Sequence, residues 1–336
     1  MKIEYKGKTL ETKNFCEITE EERQKFYEEY FARPSLEIVQ EQMKKIAGGN
    51  VMNDKITNYY FKDLMAKVQV TGAKWTVEDV YENKELLGVF KAKVLNSPKT
   101  FPPEKGLVAN IEKAISLGGK GYARKPTKFP VKTVDYILSK YNVNNIWYDF
   151  SAGWGDRLTG ALKHNVNYYA TDPNYELINR LQQMVFDWKE AVPSNVSQTI
   201  LWACGSEHFI PELENKVGLA FSSPPYFDLE DYKIGNQSYK EGTTYEEWKQ
   251  NYLYPTLDNI KKYLIPGGVL AINIKNVNGH SLCEDIYNYA INTLGLEDNG
   301  VEDLKNNTRI KSTGVLGDSN ENIFIFKKEG KIEWHN

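Results

Sequence analysis

From about residue 130 onward the chain alternates short apolar runs with amphipathic stretches. That rhythm constrains its fold more than any other feature. Strands are predicted at Ile146–Phe150, Tyr168–Thr171, Thr199–Ala203, Val217–Ser222 and Val269–Ile274. Helices are predicted between them, for example at Asp156–Lys163 and Glu176–Glu190. Strand–helix alternation builds βαβ units, and βαβ units build a parallel sheet covered on both faces. Ligands of such sheets bind beyond the carboxyl ends of the strands, near the point where strand order reverses. The loops after these strands are therefore where chemistry is expected.

The preceding third has a different texture. Thr19-Glu20-Glu21-Glu22 has the form of a capping box, in which the Thr oxygen and the third carboxylate satisfy each other's backbone N–H groups. Arg33-Pro34 breaks that helix, and Ser35 caps another whose Leu36, Val39, Met43 and Ile46 repeat every three to four residues up to Gly48-Gly49. A further helix is expected from Thr76 to about Leu95. Pro102-Pro103 and Gly118-Gly119-Lys120-Gly121 mark residues 98–125 as the connector. At 336 residues the chain suits about two domains. The expected division is a mainly helical domain over 1–120 and an α/β domain over 121–330.

Three of the predicted loops carry chemistry. In Asp149-Phe150-Ser151-Ala152-Gly153-Trp154-Gly155-Asp156 a strand runs through a glycine turn into a helix, and Gly153 and Gly155 let the backbone turn sharply against a ligand. Leu158 stands where a dinucleotide fingerprint needs its third glycine, which argues against a pyrophosphate site. A GxG turn alone is also an ordinary tight turn. Asp172 ends the next strand, 17 positions after Gly155. A carboxylate there can accept both hydroxyls of a ribose, or simply cap the helix that opens at Pro173. Ser223-Pro224-Pro225-Tyr226 follows a third strand. Two consecutive prolines fix two φ angles and remove two amide donors, so the carbonyls and the Ser223 oxygen remain as acceptors beside an aromatic ring. That combination suits a planar exocyclic amine. Its alternative is a rigid turn after a buried strand.

Other chemistries lack their residues. The three cysteines, Cys16, Cys204 and Cys283, form no CxxC pair, and the four histidines show no HExxH spacing, so no metal site is expected. No GxSxG elbow accompanies Ser206-Glu207-His208. No Pro-Cys pair offers the nucleophile for carbon methylation of cytosine. No apolar run reaches the roughly 20 residues of a membrane span, and Met1–Tyr5 does not open like a signal peptide; a cytoplasmic location is expected. Net charge is −3, divided as +4 over residues 1–125 and −7 over 126–336. The basic part includes Lys91, Lys93, Lys99, Lys105, Lys113, Lys120, Arg124 and Lys125, which suit either a phosphate-binding surface or a solvated face.

Taken in order, these motifs resemble the S-adenosylmethionine-dependent amino-methyltransferases over roughly 200 residues, in particular the DNA N4-cytosine/N6-adenine group. The resemblance implies a Rossmann-like class I methyltransferase fold, α/β with a mostly parallel seven-stranded sheet, beside the helical domain. It implies that Ser223, Pro224, Pro225 and Tyr226 are catalytic. Tyr226 and Phe227 would meet the substrate base. Asp149, Ser151, Gly153 and Gly155 would form the cofactor loop, with Ser151-Ala152 where many members carry Phe and a variable residue. Asp172 would hold the cofactor ribose, Ser206 (within Gly205-Ser206-Glu207) would border its adenine, and Phe129 (within Lys125–Pro130) would flank its methionine end. Leu264–Leu270 resembles the turn into the fifth strand and Glu321–Lys327 the closing strand. DNA is the implied partner, as in restriction–modification. RNA, a protein amide, or a non-catalytic nucleic-acid-binding role are the alternatives. Amide-methylating relatives usually carry Asn where this chain has Ser223.

Overall fold

A computed structural model describes residues 1–50, 55–118, 122–141, 146–233, 236–303, 308–310 and 322–330. In chain order the first elements are β1 (Lys2–Tyr5), β2 (Lys8–Glu11), α1 (Glu20–Phe31), α2 (Leu36–Ala47), α3 (Lys55–Ala66), β3 (Gln69–Val70), α4 (Val77–Glu82), α5 (Lys84–Leu95) and α6 (Leu107–Ser116). Then come α7 (Val131–Tyr141), β4 (Ile146–Asp149), α8 (Asp156–Lys163), β5 (Asn167–Thr171), α9 (Tyr175–Ala191), β6 (Thr199–Trp202), β7 (Val217–Ser222) and β8 (Glu230–Asp231). The last are α10 (Tyr245–Trp248), α11 (Tyr254–Tyr263), β9 (Leu264–Ile274), α12 (Leu282–Asn288), β10 (Glu297–Asp303), β11 (Thr308–Ile310) and β12 (Asn322–Lys327).

The chain forms two compact units, and their division differs from a single boundary at residue 120. One unit comprises residues 1–35, 61–127 and 230–233, the other 36–60, 128–229 and 234–336. The reason lies in α2. Its buried stripe of Val39, Met43 and Ile46 packs on α8 and α9, so the expected amphipathic helix forms but belongs with the sheet.

In the first unit the predicted capping box at Thr19/Glu22 is present, with both reciprocal bonds at 3.1 Å. The helix expected from Thr76 to Leu95 is instead two. Asn83 ends α4 and caps α5 by accepting from the backbone N–H groups of Glu85 and Leu86, which turns the chain and lets both helices bury an apolar face. The lysines of this unit are largely spent on internal partners. Lys91 pairs with Glu22 at 3.0 Å and Lys125 with Glu112 at 2.5 Å, while Lys93 and Lys113 donate to the carbonyls of Ala114 and Thr100. Burial pushes the Lys93 ammonium below its usual value. Lys120 and the glycines at 119 and 121 lie outside the described residues.

The second unit is built on one eight-stranded sheet with order β11-β10-β12-β9-β7-β4-β5-β6. Strands β9, β7, β4, β5 and β6 pair in parallel, and β12 runs antiparallel between β9 and β10. Six of these lie where strands were expected, and β10, which no sequence signal located, completes the expected seven. The eighth, β11, adds an antiparallel edge to β10. Strand β7 is buried at all six positions, as a central parallel strand covered on both faces must be. Order reverses between β4 and β7. There Trp147 stacks on Phe221 at 5.4 Å and donates its indole N–H to the Phe221 carbonyl at 2.8 Å, locking the two strands side by side. Among the described residues no helix is long and apolar enough to cross a membrane.

A candidate active site at the reversal of strand order

The glycine turn leaves β4 and enters α8, as predicted. Gly153 and Gly155 hold φ of +60° and +80°, a region an L side chain enters only at a cost. Asp149 was expected to face a ligand, but it is fully buried and holds the loop together. Its Oδ2 accepts from Arg157 Nε at 2.7 Å and from the Tyr168 hydroxyl at 2.6 Å. Arg157 also donates to the Ser151 carbonyl and stacks on the Phe129 ring, 5.1 Å from its centroid. Phe129 meets Phe221 edge-on at 5.6 Å, so this ring braces the turn. At the first residue of α8, buried Asp156 accepts from Thr57 Oγ1 at 3.1 Å, and Thr57 in turn accepts from Lys128 at 2.8 Å. A carboxylate suits the positive end of a helix.

Asp172 stands at the end of β5, adjacent to β4. Its two oxygens accept from the backbone N–H groups of Gly153 at 3.2 Å and Asn174 at 3.0 Å, so the glycine turn is tied to this carboxylate. Removal from water lifts the Asp172 carboxyl to about 6, against the pull of those two N–H donors. At neutral pH it is mostly ionised, and each of its oxygens can accept beyond the one backbone N–H it already holds. Vicinal hydroxyls are donors of the kind it can take.

After β6 the expected Ser206 turns inward. It is 2% exposed and shares its hydrogen bond with Thr256 at 2.9 Å, so its side chain does not border a ligand. Its neighbour Glu207 is the residue left with capacity, because Glu207 Oε2 is buried with no hydrogen-bond partner. A Cβ at Gly205 would meet that carboxylate, so a side chain there would make Glu207 swing aside. Tyr252, in a π-helical turn over Lys249–Leu253, reaches Ser151 Oγ with its hydroxyl at 3.4 Å. No sequence signal marked it.

The Ser223–Tyr226 corner follows β7, beside the glycine turn. Asn273 of β9 organises it. Asn273 Nδ2 donates to Ser223 Oγ at 3.2 Å and to the Tyr226 oxygen at 3.1 Å, and the Asn273 carbonyl accepts the Tyr226 O–H at 3.0 Å. Ser223 Oγ lies 3.1 Å from the Tyr226 hydroxyl. With the Tyr226 proton on Asn273, Ser223 can give its own proton to the Tyr226 oxygen in that last contact. A serine hydroxyl has one proton and two lone pairs. In that arrangement the proton goes to Tyr226 and one lone pair to Asn273. One lone pair is left, and Ser223 is only partly buried. The corner is therefore set to receive an N–H.

Two expectations about this corner are corrected. Tyr226 is 7% exposed and carries Lys275 Nζ over its ring at 5.9 Å, so no open aromatic face awaits a base. Phe227, at φ +51°, turns into a cluster formed by Tyr239, Tyr245, Trp248 and His280, with ring centroids 5.2–5.8 Å away, and packs there in place of meeting substrate.

The strand order 3-2-1-4-5-7-6, counted along β4, β5, β6, β7, β9, β10 and β12 with the last antiparallel, defines a Rossmann-like class I methyltransferase fold. No family model matches the chain, and no curated protein matches it. Among solved structures it resembles a TehB-like SAM-dependent methyltransferase from Corynebacterium glutamicum (TM-score 0.40, 16% identity, 58% of this chain and 86% of that one). It also resembles the tRNA (m1A58) methyltransferase TrmI from Aquifex aeolicus (0.38, 13%, 65% and 76%) and a putative rRNA methylase from Clostridium thermocellum (0.38, 13%, 61% and 100%). Likenesses this distant say nothing of substrate.

Proposed function

We propose that this chain transfers the methyl group of S-adenosylmethionine to an exocyclic amino group of a DNA base, cytosine N4 or adenine N6. The observation that carries the reading is the set of contacts at Ser223 Oγ, which takes the Asn273 Nδ2 hydrogen, can give its own proton to Tyr226, and then has one lone pair for an N–H. A substrate hydroxyl or thiol would find no base in this corner. An amine needs none, because its nitrogen lone pair is the nucleophile and its proton can leave afterwards.

The residues present fit the cofactor. The glycine turn admits a close backbone approach, Asp172 accepts ribose hydroxyls, and the unpartnered Glu207 Oε2 accepts from the adenine amino group. When bound, S-adenosylmethionine supplies a sulfonium methyl that is already electrophilic. The chain's own work is then placement. Ser223 Oγ and the Pro224 carbonyl accept the two hydrogens of the target NH₂, which draws the nitrogen lone pair out of conjugation and toward the methyl. Positive charge develops on that nitrogen, and fixed oxygen dipoles stabilise it without reorganising. In-line placement of two bound reactants is worth several kcal/mol on its own. A base inside a duplex cannot reach such a corner and must first leave the stack.

The test incubates the protein with methyl-labelled cofactor and separate DNA, RNA and protein pools, then identifies methylated nucleosides by mass spectrometry. N4-methylcytosine or N6-methyladenine in DNA is the expected product. Label confined to RNA or to protein would overturn the DNA reading.

A further inference from the structure

Lys275 directly follows β9 and lies half-buried, with its Nζ over the Tyr226 ring. Side chains alternate along a strand, so Lys275 shares a face with Asn273, the residue that clamps Ser223 and Tyr226. Lys140 meets Glu302, Lys163 meets Asp135, and Lys249 meets both Glu246 and Asp285, while Lys216 and Lys328 donate to backbone carbonyls. Among the described residues no carboxylate lies within 4.0 Å of the Lys275 ammonium. Asp228, the acid just after the motif, accepts instead from Asn278 at 2.6 Å, which ties the loop after β9 to the loop after Tyr226.

An uncompensated ammonium is costly beside the proposed reaction. The cofactor is a cation, and the amine becomes one as the methyl moves. Net charge is conserved as the methyl moves, so the repulsion falls on every state that holds that cation beside the ammonium. An anion carried by the substrate removes that penalty, and a neutral amide brings none. Resting on the methyl-transfer reading, we infer that Lys275 binds a backbone phosphate of the DNA strand carrying the target base. Its ammonium then leaves the Tyr226 ring, a weak cation–π contact, for a charge-assisted bond to phosphate oxygen.

The full chain is tested as wild type, Lys275→Gln and Lys275→Arg. Binding of a fluorescent random-sequence single-stranded DNA is followed by anisotropy across salt concentrations, cofactor binding by calorimetry, and methyl transfer to DNA by label. Lys275→Gln is expected to weaken DNA binding about 5–10-fold and to reduce the slope of log affinity against log salt by about 0.7. It should not weaken cofactor binding, since the charge it removes repels that cation, and Lys275→Arg should restore both DNA terms. A wild type that labels DNA together with a Lys275→Gln variant of unaltered DNA affinity and salt slope overturns this inference alone. A wild type that labels no DNA overturns the methyl-transfer reading and the inference with it.

Discussion

Arg157 Nε donates to Asp149 Oδ2 at 2.7 Å in a pair buried almost completely, 5% and 0% exposed, at the base of the glycine turn. The turn that would face a cofactor is thus held from behind by a charge pair with no access to water. Burial pulls against the charge on Arg157, but Asp149 more than offsets it and raises the guanidinium above its usual value.

Breaking that pair is expected to cost more than removing it. Asp149→Ala strands a buried guanidinium and should lower stability by about 3–5 kcal/mol, whereas Asp149→Leu with Arg157→Met should recover much of the loss. Denaturant unfolding of both variants checks this. Equal stability of the single and double variants would mean the pair is not desolvated.

Asp172 should govern the cofactor and its pH dependence. Asp172→Asn keeps the shape but loses the charge, and weakens cofactor binding about 10–100-fold by calorimetry, as expected for hydrogen bonds to a charged group. With a carboxyl near 6, affinity should climb from pH 5 to 7 and level off, because donor hydroxyls favour the ionised form. The sign follows from a ligand that donates: protonation competes with it. Affinity that is flat over that range would remove Asp172 from the site.

Tyr226→Phe deletes one oxygen and frees Ser223 to rotate its proton toward the substrate. Turnover should drop about 10–100-fold with cofactor affinity intact. Asn273→Ala should do the same through loss of the amide that fixes Ser223. Single-turnover transfer measured beside calorimetry separates the two effects. A loss of cofactor binding in either variant would argue for a collapsed corner instead.

Gly160 sits in α8 where an added Cβ would press into Val134 of α7, well inside van der Waals contact. Gly160→Ala is therefore expected to destabilise by about 1–3 kcal/mol, despite alanine's better helix propensity. Thermal unfolding gives the sign. Stabilisation would show that α7 yields freely.

The local grammar of the α/β unit was legible because it depends on neighbours in sequence. Val217–Ser222 and Asp156–Lys163 fall where periodicity put them, and the glycine turn, Asp172 and the diproline corner all lie at strand ends. What failed was judgement of direction. Asp149, Ser206 and Phe227 sit at the expected positions, but their side chains point into the protein, since each found a better partner there. The same holds for the basic stretch near residue 91–125, where spacing cannot reveal that Lys91 and Lys125 already own carboxylates.

The residues that turn a strand-end corner into a chemical site came from elsewhere in the chain. Asn273 lies 50 positions from Ser223 and Tyr252 lies 101 from Ser151, and nothing local marks either. Sequence alone determined the alternation of elements, the places where the backbone must turn, and which loops hold reactive side chains, because propensity and burial act over a few residues. Only the folded chain decided which partners meet Ser223 and that Lys275 lies over the Tyr226 ring, because hydrogen bonds and charges are assigned by whatever distant segment arrives to meet them.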